Sequence, residues 1–206
     1  MKRHPALDLI RQRISVNRFD PTFEVDDATI RDLISYASEA PSAYNLQNWR
    51  FIAVKSTVRK RALMAHAYDQ EKVVDAAVTF IVCGLLEPQR GVRAAMLPFR
   101  DDGHIDDDFL DEWADEATAT YRDNPAMQRD EAIRSASLAA MNLMIAAQAM
   151  GLASGPMIGF DPSAVSTDFD LADTEFPVML IAVGRIGPNN WPRKRRRPVD
   201  HVLTIV

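Results

Sequence analysis

The stretch Ala40–Phe51 is unusually dense in side chains that can bind a ligand. Ser42, Asn45 and Gln47 offer short hydrogen-bond donors and acceptors. Pro41 is expected to end the preceding helix, because its ring removes an amide donor and clashes with the turn before it. Such a loop suits a planar ligand with polar edges, although an ordinary surface turn would contain the same residue types. We refer to this stretch as the 40–51 loop.

A second candidate is the segment Arg13–Phe19, in which a cation, a hydroxyl and an amide alternate with apolar residues. If the segment is extended, Arg13, Ser15 and Asn17 share one face and the residues between them share the other. The polar face could hold an anion. An edge strand with a solvated polar face would show the same pattern.

The third candidate is the basic run Arg193–Arg197, which places five cations between Pro192 and Pro198. It is compatible with a solvated patch, with a phosphate clamp in which one or two cations face inward, or with a nucleic-acid footprint. The formal net charge of the chain is -5, which argues against general affinity for nucleic acids.

No conventional acid, base or nucleophile stands out in the sequence. The acidic residues Asp106–Asp108 lack the spacing of a calcium-binding loop and are better explained as a helix start. The phosphate-loop, dinucleotide and Gly-x-Ser-x-Gly patterns do not occur, and the histidines have no metal-ligand spacing; they are His4, His66, His104 and His201. An enzyme built on this chain would therefore depend on a cofactor for its chemistry.

Composition predicts one cytoplasmic domain spanning residues 1–206. Hydrophobic residues make up 47% of the 206 residues and charged residues 26%, which suits one sizeable core. Cys83 is the single cysteine, so no internal disulfide can form, as in a reducing compartment. No apolar run is long enough to span a bilayer, so we expect no membrane association.

Helices are predicted where apolar residues recur every three or four positions. They cover residues 5–12, 26–40, 56–67 and 130–150. The first helix is expected to turn Leu7 and Ile10 inward. The last is apolar on nearly all sides, which is typical of a helix buried between subunits or beneath a cofactor.

Strands are predicted where β-branched and aromatic residues cluster. They cover residues 51–55, 77–83, 177–185 and 202–206. The second and third are continuously apolar, which indicates central strands covered on both faces. Residues 87–124 differ in composition and contain an acidic loop and a helix, so we interpret them as an excursion that could act as a lid over the active site.

Four separated segments together resemble the FMN-dependent nitroreductase family, and the resemblance covers essentially the whole chain. The segments are Arg13-x-Ser15-x-x-Arg18-Phe19, Pro41-Ser42-Ala43-x-Asn45-x-Gln47-x-Trp49, Gly155-Pro156-x-x-Gly159-Phe160 and Lys194-x-Arg196-x-Pro198. The resemblance implies an α+β fold with a mostly antiparallel central sheet surrounded by helices. It also implies an intertwined homodimer with FMN at each subunit interface.

The resemblance further implies a role for residues of each segment in binding FMN. The first and last segments would bind the phosphate, the 40–51 loop would line the ring and ribityl chain, and the backbone at residues 158 and 159 would present amides near flavin N5. Lys72, after Gln70, is a candidate contact for flavin N1 and O2. The complete set is Arg13, Ile14, Ser15, Asn17, Pro41, Ser42, Ala43, Asn45, Gln70, Lys72, Ile158, Gly159, Lys194 and Arg196.

The implied activity is transfer of hydride from NADH or NADPH to a nitroaromatic compound, a quinone or a related small acceptor. A flavin-binding or storage protein without turnover is the alternative on the same fold. The sequence departs from the family at Asn48, where proline is common, and at Asn17, where a cation is common. Arg18 or Arg195 could replace the missing cation.

Overall fold

Four antiparallel strands form the centre of the protein, which is seen in a computed structural model that describes residues 4–206. The strands are β1 (Trp49–Val54), β2 (Val78–Leu85), β3 (Ala153–Met157) and β4 (Glu175–Gly184), in the spatial order β1-β2-β4-β3. Every pairing is antiparallel, so the predicted α+β class with a mostly antiparallel sheet is confirmed. β1 and β3 are the two edges of the sheet.

Eight helices surround the sheet in the described part of the chain. They are α1 (Pro5–Gln12), α2 (Asp27–Ser38), α3 (Thr57–His66), α4 (Lys72–Asp75), α5 (Val92–Asp101), α6 (Asp107–Tyr121), α7 (Pro125–Ala149) and α8 (Pro162–Asp168). Side-chain caps fix several starts: Asp26 accepts a hydrogen bond from the amide of Thr29, and Asp106 accepts one from the amide of Phe109. The acidic cluster that begins at Asp106 therefore starts a helix, as expected.

The two central strands carry a separate core on each face of the sheet. Along β2, Phe80 and Val82 pack with α2 and α7 on one face, whereas Ile81 and Cys83 pack with α3 and α8 on the other. This alternation follows from the two-residue period of a strand. Gly84 lets α7 approach closely, because a Cβ there would lie 2.4 Å from the carbonyl oxygen of Ala132.

The excursion forms a third core of its own. Buried side chains from α5 and α6 pack together with Leu46 of the 40–51 loop; those of the helices are Val92, Met96, Leu110, Ala114, Ala117 and Tyr121. Tyr44 and Trp113 pack partly buried against the same cluster. The excursion therefore shares its core with the loop and not with the central sheet.

Two expectations about the ends of the chain are wrong in the single chain. Leu7 and Ile10 are 51% and 50% exposed, because nothing in the described part of the chain covers that face of α1. Residues 202–206 form no strand: a short helical turn at Val199–His201 precedes them, and their side chains are exposed. Among residues 4–206, no helix has both the length and the hydropathy needed to cross a membrane.

Candidate functional site

A small basic cleft lies where the segment after α1 meets the basic run near the C-terminus. Its volume is about 170 Å³. We call it the anion cleft; it is lined by Arg13, Ile14, Ser15, Asn17, Trp191, Pro192, Arg193, Lys194 and Arg196. Two segments almost 180 residues apart in sequence thus form one site, and both were predicted to bind phosphate.

The wall formed by residues 13–17 is positioned by β3. The amide of Val16 donates a hydrogen bond to the carbonyl of Ser154, and Ser15 and Ser154 form a parallel bridge. Gly155 permits this approach, since a Cβ there would lie 2.3 Å from the carbonyl oxygen of Val16. Val16 is buried, so the expected alternation along the segment is present, although Ile14 lines the anion cleft together with the polar residues.

Positive charge dominates the electrostatics of the anion cleft. Burial, together with repulsion from Arg193 and Arg196, lowers the pKa of Arg13. Nη1 of Arg13 is buried and has no hydrogen-bond partner in the described part of the chain. A buried guanidinium nitrogen without a partner is costly, and a bound anion would satisfy it.

The opposite wall is formed by the basic run and the residues before it. Arg193 donates a hydrogen bond from Nη1 to the carbonyl of Arg13 over 2.7 Å. Lys194 lies over the ring of Trp191, with Nζ 4.8 Å from the ring centroid. Three of the five cations of the run therefore face the anion cleft, whereas Arg195 and Arg197 do not line it.

Asn17 is connected to Lys72, which the sequence proposed as a flavin contact. Nζ of Lys72 donates a hydrogen bond to Oδ1 of Asn17 over 3.3 Å, and burial lowers the pKa of Lys72. A lysine is therefore hydrogen-bonded to the asparagine at position 17. Neither of the suggested substitutes, Arg18 and Arg195, lines the anion cleft.

A second group of predicted residues follows β3. Nε2 of Gln70 donates to the carbonyl of Gly159 over 2.7 Å and to the carbonyl of Ala67 over 3.0 Å. The side chain of Ile158 is 80% exposed. In the described part of the chain, the amides of Ile158 and Gly159 donate no hydrogen bond, so both are free to contact a ligand.

The 40–51 loop has an unusual backbone held by internal hydrogen bonds. Tyr44, Asn45 and Gln47 all have positive φ angles, of 52°, 53° and 47°. Oγ of Ser42 accepts a hydrogen bond from the amide of Gln47 over 2.9 Å, and Nε2 of Gln47 donates to Oδ1 of Asn45. Left-handed conformations cost energy for residues with a Cβ, so the surroundings must hold this loop in place.

Those surroundings belong to the excursion. The ring of Tyr44 makes edge-on contacts with Trp113 and Tyr121, with centroids 5.3 and 6.2 Å apart. Nδ2 of Asn45 donates to the carbonyl of Ala95 in α5. Among residues 4–206, no hydrogen bond joins residues 40–47 to the anion cleft.

Within one chain, the structure therefore brings the predicted site residues together in three groups. The first surrounds the anion cleft and includes Arg13, Ile14, Ser15, Asn17, Lys194 and Arg196, with Lys72 beside it. The second pairs Gln70 with Gly159 and adjoins Ile158. The third is in the 40–51 loop, which is bound to the excursion through Asn45: Pro41, Ser42, Ala43 and Asn45.

Three further residues line the anion cleft and were not predicted from the sequence: Trp191, Pro192 and Arg193. Arg193 belongs to the basic run, but the alternation of the family motif selects Lys194 and Arg196 instead. Trp191 is 67% exposed. In the sequence, a tryptophan just before a basic run is a signal that could have pointed to a binding site.

Comparison with known proteins finds a matching family and similar relatives. The model of the nitroreductase family matches residues 10–185. YodC of Bacillus subtilis, named as an NAD(P)H nitroreductase, is 31% identical over 200 residues, which cover 97% of this chain and 98% of YodC. A protein of Thermus thermophilus named NADH dehydrogenase is 28% identical and covers 97% of this chain and 96% of its own length.

Solved structures show the same fold over the whole chain. The structure of ydfN from Bacillus subtilis, described as a nitroreductase, has a TM-score of 0.93 and 28% identity, covering 98% of this chain and 100% of ydfN. A protein of Exiguobacterium sibiricum described as a nitroreductase was solved in complex with FMN. It has a TM-score of 0.89 and 21% identity, and covers 100% of this chain and 99% of its own.

Proposed function

The chain belongs to the nitroreductase family, and from this premise we propose that it is an FMN-dependent NAD(P)H oxidoreductase. Its acceptors are nitroaromatic compounds, quinones or related small molecules. The observation that carries the proposal is the anion cleft: four cations line it, and among residues 4–206 the buried Nη1 of Arg13 has no hydrogen-bond partner. Such a cleft fits the terminal phosphate of FMN.

The residues present suit each part of the cofactor. Arg13, Lys194 and Arg196 would neutralise the phosphate, and Arg196 can do so with two parallel hydrogen bonds. The free amides of Ile158 and Gly159 are donors for a ring nitrogen. Lys72 supplies a cation for the pyrimidine side of the ring. The FMN bound to the relative from Exiguobacterium sibiricum supports the same choice of cofactor.

When bound, FMN supplies hydride transfer at its N5 atom, taking hydride from NADH or NADPH and passing it to the acceptor. The chain offers no conventional acid or base at the site, so its own residues act by binding, by orientation and by electrostatics. Donor and acceptor would use one open face in turn, and we therefore expect ping-pong kinetics with parallel double-reciprocal plots.

We propose that the active form is a homodimer, because one chain exposes too much surface. The accessible surface is 12553 Å², whereas a compact monomer of 23.1 kDa is expected to expose about 9,700 Å². Exposed apolar side chains are found at both ends of the described chain; they include Leu7, Ile10, Val202, Leu203 and Ile205. A second copy would cover them and could bring its 40–51 loop to the anion cleft.

The same assembly would explain residues 202–206. These residues have the composition of a strand but no partner strand in the described chain, and their side chains are exposed. β1 and β3 are open edges of the sheet. We propose that residues 202–206 pair with an edge strand of the second copy, as an extended segment can.

The proposed reduction is tested with purified, FMN-loaded protein under anaerobic conditions. Adding NADH or NADPH is expected to bleach the yellow flavin band, and a nitroaromatic compound or quinone is then expected to restore it. If neither nicotinamide bleaches the band, the chain is a flavin-binding protein without turnover. Intersecting double-reciprocal plots would contradict the single shared face.

A nucleic-acid role for the basic run has less support. Arg193, Lys194 and Arg196 line the anion cleft, and the chain as a whole is acidic. We therefore propose that the partners of this protein are small molecules and a second copy of the chain.

A further inference from the structure

Asn190 uses its whole side chain to join the two walls of the anion cleft. Its Oδ1 accepts hydrogen bonds from the amides of Asn17 and Arg18, over 2.9 and 3.0 Å. Its Nδ2 donates to the carbonyls of Arg18 and Gly187, over 2.8 and 3.0 Å. A carboxamide offers two donors and two acceptor positions, so all its capacity is used.

The position of Asn190 in the chain makes these bonds important for the cleft. Before it, the polypeptide is tied to the first segment by backbone pairing, including the amide of Gly187 to the carbonyl of Arg18 and a bridge between Phe19 and Ile186. After it, residues 191–198 have no regular structure and are exposed. Asn190 is thus the last fixed point before the cations that line the cleft.

Electrostatic repulsion makes a fixed point necessary. Arg193 and Arg196 face Arg13 across the anion cleft, and their charges disfavour each other when no anion is bound. Across the cleft, the bonds that hold the basic run near Arg13 come from Arg193, which donates to the carbonyls of Arg13 and Ile10. A neutral side chain such as Asn190 can hold the walls together without adding charge.

We propose that Asn190 is a positioning residue for phosphate recognition, which sets the distance between Arg13 and the basic run. The inference rests on the proposed function, because the phosphate is that of FMN. Asn190 does not line the anion cleft and acts through the backbone of Asn17 and Arg18. Asn190 also fixes the backbone of Asn17, whose side chain accepts the hydrogen bond from Lys72.

The test compares two ligands that differ only in the phosphate. Dissociation constants for FMN and riboflavin are measured by flavin fluorescence quenching with the wild-type chain and the N190A variant. We expect N190A to weaken FMN binding about tenfold and to change riboflavin binding less than about twofold, since only FMN uses the cleft. A purely structural role would weaken both ligands equally.

N190D and N189D form a matched pair of variants. Aspartate at 190 can still accept from the two amides, but it cannot donate to the carbonyls of Arg18 and Gly187, so we expect the ratio of FMN to riboflavin affinity to fall. Asn189, the preceding residue, is exposed and forms no hydrogen bond in the described chain. N189D adds the same charge without removing the four bonds, and we expect the ratio to be kept.

The ratio of FMN to riboflavin affinity decides between the proposal and a purely structural role. An unchanged ratio in N190A, or an equal loss for both flavins, overturns it. If N190A is unfolded by circular dichroism, N190S is measured instead; failure of both to fold would assign Asn190 to overall stability and would also overturn the proposal. A wild-type chain that binds neither flavin would overturn the proposed function itself, which the wild-type measurement shows separately.

Discussion

The anion cleft and the 40–51 loop were both predicted to contact one cofactor, yet they are built in different ways. The cleft is formed by segments bound to β3 and to the residues that follow β4, and Nη1 of Arg13 has no hydrogen-bond partner among residues 4–206. In the loop, Ser42, Asn45 and Gln47 are hydrogen-bonded to one another and to α5, and the loop packs on the third core of the excursion. Its one buried side-chain polar atom without a partner among residues 4–206 is Oδ1 of Asn48. A bound anion would provide the partner that Arg13 lacks, whereas the conformation of the loop depends on its contacts with the excursion.

The anion cleft and the 40–51 loop are therefore held in place by different parts of the molecule. The cations of the cleft are in two segments outside the strands, and the first of these segments is fixed by burial of Val16 and Phe19. The 40–51 loop is instead held by the excursion, which has a core separate from the two cores of the sheet. Three predictions test whether the cleft and the excursion respond independently, in decreasing order of expected effect.

The Trp113→Ala variant should disrupt the scaffold of the loop and leave the cleft intact. Trp113 contacts Tyr44 and Phe109, and truncating it is expected to destabilise the excursion by about 3 kcal/mol. Hydrogen exchange should accelerate in residues 92–121 but not in β2 and β4. Phe109→Ala, which removes the more exposed partner, should have a smaller effect. Equal acceleration in the sheet would show that the two regions are not independent.

The Arg13→Ala variant should have the opposite pattern. Loss of a charged hydrogen-bond donor to the phosphate is expected to weaken FMN binding by about 2 kcal/mol. Titration of flavin fluorescence measures the change, and hydrogen exchange in the excursion should not respond. Arg18→Ala is the matched control, because Arg18 is in the same segment but does not line the cleft. A loss of affinity as large in the control would remove Arg13 from the phosphate site.

The smallest expected effect is a loss of stability at alkaline pH, caused by Tyr121 in the excursion. Burial, followed by the nearby Glu131, raises the pKa of Tyr121 to about 12 from an ordinary value of 10. The folded state therefore keeps a proton that the unfolded state loses, so stability falls as pH rises above 10. The expected loss is about 1 kcal/mol at pH 11.

Tyr121→Phe provides the comparison for this effect. The variant lacks the ionisable hydroxyl, so the difference in unfolding free energy between it and the wild type should change between pH 9 and pH 11. Urea unfolding at both pH values gives the measurement. Cys83, whose pKa burial also raises to about 12, is common to both proteins and cancels. A difference that does not depend on pH would contradict the raised pKa of Tyr121.

Much of the fold could be predicted because its signals are local. The spacing of apolar residues placed α2 and α3 within two residues of their observed ends, and continuous apolar runs identified β2 and β4 as central strands. The short helices α4 and α8 were not predicted, since few residues contribute to their pattern. The exposure of Leu7 and Ile10 was missed because periodicity identifies an apolar face but not what covers it.

For the site, the sequence by itself determined which residue types are available: alternating polar groups in residues 13–17, the polar 40–51 loop and a run of five cations. The tertiary structure decided which of them meet. It placed Arg193 against Arg13, bound Asn17 to Lys72, and left the loop on the excursion. The physical reason is that side-chain chemistry is encoded locally, whereas distances between segments almost 180 residues apart depend on long-range pairing and packing of the whole chain.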